Sequence, residues 1–400
     1  MLYTDEVDNE ELILWETMAW SAPRYSRTKV DAAGQFLIMP PSLLPLFSDK
    51  ISTFSAEEDV MEIVNNWRAS HNLPLFVIRK TLEKRAKRIS RNAIVAQRIK
   101  RLPSISRKLR DNQFRHLKLS QIQDIGGCRA IMSEMDDVFH LVEVYRMGRI
   151  SSEFVRANDY IAQPKDDGYR SIHLVYKYKS ESAQYRAFDN QRIEIQIRSQ
   201  LQHAWATALE TVETFTQMEL RRKAGTMLLR PKEYLTKWRR FFALMASAIA
   251  FREGQPIVPG TPENEQIMLE EMRGLGEELH VVQTLLAWRN AVSAFVGLAA
   301  FQKEAEEKMT VDPYWFLLQL DPKKESATVK AFKKEDNLRA FDEYVNAEKP
   351  KRDAPSTQVV LVSVDSIAEL KKAYPNYFAD TSVFVGAFLT ARDHNNSRHG

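Results

Sequence analysis

Two acidic residues, Asp124 and Glu194, are the candidates for metal-assisted phosphate chemistry in this chain of 400 residues. Glu194 lies in a segment, 192–198, where polar residues alternate with isoleucines, so period two places it on the polar face of a strand. Asp124 precedes the pair Gly126-Gly127. Two carboxylates on neighbouring strands can hold one Mg²⁺ whose other ligands are substrate phosphates. Each residue also has a simpler explanation, a solvated strand face for Glu194 and a turn residue for Asp124.

A second set, between positions 159 and 173, suits a nucleobase with phosphates nearby. Tyr169 offers a flat face for stacking, and Gly168 permits close approach of the backbone. Ser171 and His173 point the same way if they lie on a strand, and Lys165 follows a proline. The alternatives are a core tyrosine, a structural histidine and a surface lysine.

Positive charge is concentrated between residues 79 and 118, where only Glu83 and Asp111 interrupt a run of Lys and Arg. The net charge of the chain is only +4, so any polyanion site must be local. The first half of the run has helical periodicity and reads as a solvated basic helix. The second half straddles Pro103 and cannot form one uninterrupted helix, so several donors converge around a turn: Arg98, Lys100, Ser104, Arg107 and Lys108.

The elements that must position these residues follow from the hydrophobic pattern. We expect strands over 122–132, 171–178 and 191–198, with helices over 136–145 and 200–223. This order predicts an α+β core built on a sheet. We divide the chain into an N-terminal extension (1–60), this core (61–224), a helical region (225–310) and a small C-terminal α+β module (311–400).

The helical region contains a heptad seam of about two and a half repeats between Met268 and Leu286. It predicts either an intramolecular helical hairpin or a homo-oligomer formed through helices 262–288. In the C-terminal module we expect strands over 314–320, 328–332 and 358–364 and helices over 335–345 and after 365. This module has no catalytic spacing, so we predict that it regulates the core by contact.

Four ordered blocks of this sequence resemble the synthetase domain of the RelA/SpoT alarmone enzymes. They are Arg98-Ile99-Lys100 with Ser104 and Lys108; 124–129; Asp159-Tyr160-Ile161 with Pro164-Lys165 and 168–173; and 194–198 with 202–206. The resemblance covers about a third of the chain. It implies a nucleotidyltransferase-like mixed sheet flanked by helices, and transfer of pyrophosphate from ATP to the ribose 3′-hydroxyl of GDP or GTP to make (p)ppGpp.

The resemblance also implies a role for each matching residue. Arg98 and Arg129 would sandwich the adenine of ATP, while Lys100, Ser104 and Lys108 would hold its phosphates. Asp124 and Glu194 would bind Mg²⁺, and Glu194 is also a candidate base for the attacking hydroxyl. Tyr169 would stack on the acceptor base, and Lys165 and His173 would contact acceptor phosphates. Asp166 and Asp167 replace residues that are often neutral in the family, which leaves the acceptor open.

An alternative acceptor is the 3′-CCA end of tRNA, the substrate of toxic family members, some of which a C-terminal domain restrains. A binding module without activity is a further alternative. The chain has no His-Asp dipeptide, so the metal-dependent hydrolase of bifunctional members is not expected. The single cysteine, Cys128, excludes a disulfide framework, and no membrane or export segment is evident. We therefore expect a cytoplasmic protein that does not bind membranes or DNA.

Overall fold

A computed structural model describes residues 19–39, 57–148, 151–216, 220, 232–295, 314–324, 326–349, 357–364 and 367–393. Its eight strands are β1 (Ile94–Ile99), β2 (Gly126–Met132), β3 (Glu153–Asp159), β4 (Ile172–Lys177), β5 (Arg192–Ser199), β6 (Trp315–Asp321), β7 (Ser326–Phe332) and β8 (Gln358–Ser363). They form one sheet in the order β3-β4-β5-β2-β1-β8-β6-β7. Among these strands only β2 and β5 pair in parallel, so the sheet is mixed, as the resemblance implies.

Twelve helices are described around this sheet. They are α1 (Arg27–Phe36), α2 (Glu57–Ala69), α3 (Asn72–Ile89), α4 (Leu102–Asp111), α5 (Met135–Met147), α6 (Gln200–Thr216), α7 (Lys232–Arg252), α8 (Glu265–Glu278), α9 (Val281–Phe295), α10 (Asn337–Glu348), α11 (Ile367–Ala373) and α12 (Ser382–Asp393). The predicted α+β class, a mixed sheet flanked by helices, is confirmed.

The two faces of the sheet have different cores. One face, with Val95, Ile195 and Leu361, packs against apolar residues of α3, α5 and α10. The opposite face is covered between β1 and β6 by the segment that follows α11, where Tyr374 packs against Ala96 and Val362. Helices α6, α7, α8 and α12 form a separate aromatic-rich cluster.

The strands predicted for the C-terminal module continue the sheet of the core. Strand β8 lies beside β1, with Gln97 paired to Ser363 and Arg98 paired to Val362. The buried side chain of Arg68 on α2 also forms an ion pair with Glu348 on α10 at 2.7 Å. The C-terminal strands are therefore placed directly against the part of the sheet that carries the predicted site.

The heptad seam is divided between two helices. Helix α8 ends at Glu278, α9 begins at Val281, and His280 between them has a φ of 49°. The seam residues Met268, Met272 and Leu279 are buried in one cluster within the chain. The intramolecular helical hairpin is confirmed, whereas oligomerisation through helices 262–288 stays a prediction.

Two strands and several boundaries differ from the sequence prediction. Strands β1 and β3 were not expected, because β1 is a short segment inside the basic run 79–118 and the polar residues of β3 hide its alternation. Parts of the N-terminal extension (1–18 and 40–56) and the end of the predicted helix 200–223 (217–219 and 221–223) lie outside the described residues. Within the described residues, no helix is long and apolar enough to span a bilayer.

Candidate active site

The sheet register places the predicted site residues in two neighbouring rows on one face. In the first row Arg98 of β1 pairs with Gly127 of β2, and Gly127 pairs with Glu194 of β5. In the second row Arg129 pairs with Gln196, and Gln196 pairs with His173 of β4. Directly paired residues project to the same side of a sheet, so basic and acidic side chains from four strands share one surface.

Asp124, in the turn before β2, is held between two lysines. Lys100 Nζ lies 2.6 Å from Asp124 Oδ2, and Lys108 Nζ lies 2.8 Å from Asp124 Oδ1. Lys100 follows the end of β1, and Lys108 lies on α4, one turn after Ser104, in a helix whose first turn carries Pro103. Burial alone would raise the pKa of Asp124, but the charges of Lys100 and Lys108 outweigh it and hold the pKa well below its usual value. Asp124 is therefore an anion at neutral pH.

Glu194 is oriented by two hydrogen bonds. His173 Nδ1 lies 3.1 Å from Glu194 Oε1, and the amide of Gln196 donates to Glu194 Oε2 at 2.8 Å. Burial and the nearby charge of Asp124 raise the pKa of Glu194, but the His173 and Gln196 contacts lower it by more. The result is a second ionised carboxylate with a fixed orientation.

The aromatic part of the site joins Glu194 through His173. The Tyr169 hydroxyl lies 2.9 Å from His173 Nε2. Tyr160 packs edge-on against both rings, with centroid distances of 6.1 Å to Tyr169 and 5.1 Å to His173. Lys165 Nζ lies 4.0 Å from the Tyr160 centroid and 5.0 Å from the Tyr169 centroid. The structure thus brings Lys165, Tyr169 and His173 together, and burial raises the pKa of the Tyr169 hydroxyl.

The two arginines predicted to sandwich adenine contact the C-terminal region. The Arg129 guanidinium lies 5.1 Å from the centroid of the Tyr374 ring. Arg98 is half-buried. Burial lowers the pKa of Arg98, but Glu210 and the neighbouring Tyr374 and Tyr377 raise it by more. In this structure one face of the Arg129 guanidinium is therefore taken by an aromatic ring of the protein itself.

Both carboxylates line a single cavity of about 30 Å³, with Arg98, Lys100, Gly127, Cys128, Arg129 and Gln196. Cys128 is buried, which raises the pKa of its thiol to about 12, so it is a wall residue and not a nucleophile. Within the described part of the chain, no three His, Cys, Asp or Glu side chains are placed to share a metal ion. The Mg²⁺ site predicted from the sequence, made of Asp124 and Glu194 alone, stays a prediction.

Three residues of this site were not assigned a role from the sequence. Gln196 lies on the polar face of the same alternating segment as Glu194, so the period-two pattern could have identified it. Tyr160 belongs to the same motif block as Asp159, but its ring contacts depend on the fold. Tyr374 lies 245 positions after Arg129 along the chain, and no local pattern connects the two.

Paired carboxylates beside ammonium and guanidinium groups are typical of enzymes that handle nucleotide phosphates. Residues 97–214 match the RelA_SpoT family model, described as a region found in RelA / SpoT proteins. The matched region includes all the predicted site residues from Arg98 to Glu194.

Curated relatives are similar to part of the chain. GTP pyrophosphokinase YjbM of Bacillus subtilis is 34% identical over 113 residues, which is 28% of this chain and 52% of that protein. GTP pyrophosphokinase YwaC of the same organism is 34% identical over 86 residues, 22% of this chain and 40% of that protein. The similarity thus spans about half the length of YjbM and less of YwaC.

Solved structures also match. The small alarmone synthetase 1 from Bacillus subtilis bound to its product pppGpp is 27% identical, with 40% of this chain and 72% of that chain covered and a TM-score of 0.29. The small alarmone synthetase 2 from the same organism is 25% identical, with 45% and 90% covered and a TM-score of 0.34.

Proposed function

We propose that this protein is an ATP-dependent pyrophosphotransferase that moves the β,γ-pyrophosphate of ATP to the ribose 3′-hydroxyl of GDP or GTP. The observation that carries the proposal is the single cavity in which Asp124, between Lys100 and Lys108, meets Glu194. In-line displacement at phosphorus needs positioned reactants and neutralised charge, and it needs no covalent intermediate. This cavity has groups for both tasks.

Each side chain has a part in the reaction. Glu194 is ionised and is held by His173 and Gln196. Its carboxylate accepts the proton of the acceptor's 3′-hydroxyl while the hydroxyl oxygen attacks the β-phosphorus of ATP. The bond between the β-phosphorus and the oxygen that bridges the α- and β-phosphates breaks, and AMP leaves. Lys100 and Lys108 neutralise the charge on the transferred group.

Mg²⁺ fits this donor set. The two carboxylates line one cavity, and Mg²⁺ commonly uses one or two protein carboxylates and completes its shell with water and phosphate oxygens. Each carboxylate oxygen has two lone pairs, so Asp124 can keep its lysines and still bind a cation. Asp124 and Glu194 would hold the ion, which supplies Lewis-acid stabilisation of the phosphates when bound.

The acceptor would bind on the aromatic side of Glu194. Tyr169 stacks on the base of the acceptor nucleotide, and Lys165 and His173 contact the phosphates of that nucleotide. Asp167, one of the unexpected acidic residues, accepts a hydrogen bond from the backbone N–H of Tyr169 at 3.0 Å. This contact ties its carboxylate to the loop, which lessens its repulsion of a nucleotide.

A second acceptor, the 3′-CCA end of tRNA, is favoured by one surface. Phe114, after α4, is 97% exposed, and its neighbours Arg110, Arg115 and Lys118 are also exposed. Exposed aromatic and basic side chains are the groups that bind unpaired nucleotides and phosphates.

We further propose that the C-terminal region restrains the transfer. Tyr374 occupies one face of Arg129, where the resemblance places adenine. ATP would therefore compete with Tyr374, so displacement of this segment activates the protein.

The test is to incubate the protein with ATP labelled at the γ-phosphate and with GDP, GTP or deacylated tRNA in separate reactions. Label on GDP or GTP supports the leading proposal, and label on tRNA alone replaces it with the second. The Glu194→Gln variant is the control for contaminating kinases. A Tyr374→Ala variant must be assayed in parallel, because the restrained wild type is expected to be slow.

A further inference from the structure

A cavity of about 500 Å³ separates the C-terminal segment 369–384 from the synthetase core. It shares no lining residue with the active-site cavity. Its volume falls in the range of small-molecule sites. The fold therefore contains, apart from the active-site cavity, a space large enough for a nucleotide-sized compound.

The two walls of this cavity come from different parts of the chain. The core wall includes Arg91 and Ile94 at the start of β1 and His203 on α6, and the opposite wall includes Lys372 and Thr381. The walls are joined where His203 Nε2 lies 2.9 Å from the backbone oxygen of Lys372. Lys372 stands two positions before Tyr374, so the cavity is complete only while the segment that carries Tyr374 is docked.

The charged groups of the cavity favour an anion. Its basic residues are Arg91, Lys371 and Lys372, and its acidic residues are Glu369 and Asp380. Both acids have cationic neighbours outside the lining: Asp380 lies 3.6 Å from Arg289, and Glu369 lies 3.8 Å from Lys87. Arg289 partly offsets Asp380, whereas Lys87 is shared with Glu83, which lies nearer to it at 3.0 Å. With three basic and two acidic residues in its lining, the cavity is weakly basic.

Two further features fit a phosphate-bearing compound. Helix α6, of 17 residues, begins at Gln200 in the cavity wall, and a helix N-terminus attracts anions. Part of this N-terminus is already used, because Ser199 Oγ accepts a hydrogen bond from the backbone N–H of Gln202 and Glu253 contacts both residues. Thr381 is only 2% exposed, and its hydroxyl has no hydrogen-bond partner among the described residues. Ile94 and Val383 add apolar wall on which a ring can rest.

We propose that this cavity binds a phosphate-bearing small molecule of mononucleotide size, and that binding holds segment 369–384 on the core and lowers activity. The proposal rests on the proposed restraint of the active site by Tyr374. The compound is expected to inhibit, because a compound that needs both walls of the cavity binds only the docked state and so stabilises it. When the concentration of the compound is one hundred times its Kd, the ratio of docked to released protein rises by about one hundredfold.

Binding is tested by isothermal titration calorimetry of the full chain with AMP and GMP as probes. We expect Arg91→Glu and Lys372→Glu to weaken binding at least about tenfold, since each reverses a charge at the phosphate. Tyr169→Ala, in the proposed acceptor site, and Arg110→Glu, on an exposed surface outside both cavities, should leave this binding unchanged. If Tyr169→Ala loses binding and Arg91→Glu retains it, the probes bind at the acceptor site and the proposal is overturned. The proposal is also overturned if neither AMP nor GMP binds.

Inhibition is tested with the same proteins in the pyrophosphotransfer assay. We expect the probe that binds wild type to slow transfer, and Arg91→Glu to keep the basal rate while needing at least about tenfold more probe. Equal inhibition of wild type and Arg91→Glu, or activation by the probe, overturns the regulatory role. If the proposed function is wrong, the assay shows no pyrophosphate transfer to any acceptor. The calorimetric measurement of binding does not depend on that result.

Discussion

Tyr374 occupies the face of the Arg129 guanidinium, with 5.1 Å between the guanidinium carbon and the ring centroid. The Tyr374 hydroxyl donates a hydrogen bond to the backbone oxygen of Gln97 at 3.0 Å, and the side chain is only 1% exposed. A cation–π contact of this kind and the burial of the ring favour the docked segment. An adenine ring on the same face of Arg129 and the Tyr374 ring exclude each other.

The first prediction concerns this contact. Replacing Tyr374 by Ala removes the ring from Arg129, so we expect the KM for ATP to fall and the rate at low ATP to rise about tenfold or more. Initial rates at several ATP concentrations measure the change. Tyr374→Phe is the matched control, because it keeps the ring and loses only the bond to Gln97. Equal rates for the Ala variant and wild type would remove Tyr374 from the regulation of ATP binding.

The second prediction concerns Glu194. Glu194→Gln keeps the size of the side chain and removes the proposed proton acceptor, so we expect kcat to fall by about one hundredfold or more with the urea midpoint almost unchanged. Gln196→Ala loses one orienting hydrogen bond and should reduce kcat by a smaller factor. A Glu194→Gln enzyme with wild-type kcat would show that this carboxylate is not the base.

Much of this fold could be predicted from the sequence because strand alternation and helical periodicity are local signals. The segment 192–198 is an example. Its isoleucines occupy the buried face of the strand, so Glu194 must project from the opposite face. The strands of the C-terminal module were also predicted, since β6 and β8 are rich in Val, Leu and aromatic residues.

What the sequence could not supply is the pairing between distant strands. The short contact of β8 with β1 at Gln97 and Arg98 depends on tertiary packing, and it brings Tyr374 to Arg129. The two ion pairs of Asp124 similarly join a turn, a strand end and a helix. Only the candidates for the site, and not these contacts, were accessible from residue type and spacing.

The third prediction separates Lys108 from its neighbour on α4. Lys108 contacts Asp124 at 2.8 Å and is proposed to bind ATP phosphates, whereas Arg107 is exposed. We expect Lys108→Ala to raise the KM for ATP at least about tenfold, because a charged hydrogen bond contributes about 1.5–3 kcal/mol. Arg107→Ala should leave KM within about twofold. Equal effects of the two substitutions would indicate general electrostatic attraction instead of a specific contact.

The fourth prediction concerns acid stability and two buried histidines. Burial lowers the pKa of His71 from 6.5 to about 4, and burial with the charges of Arg198 and Arg129 lowers the pKa of His203. Because both pKa values are lower in the folded state, the unfolded chain binds more protons below about pH 6.5, and the free energy of unfolding must fall as pH falls. For His71 alone the loss by pH 4 is on the order of 3 kcal/mol.

Urea unfolding at pH 7.5, 6 and 5 measures this loss. His71→Gln removes one titrating group, so its unfolding free energy should depend less steeply on pH than that of wild type, even where the substitution lowers stability at every pH. His140→Gln is the matched control, because His140 is exposed on α5. The direction in which the unfolding free energy changes with pH tests this prediction. A chain that becomes more stable as the pH falls from 6.5 to 5 would contradict neutral, buried imidazoles at these two positions.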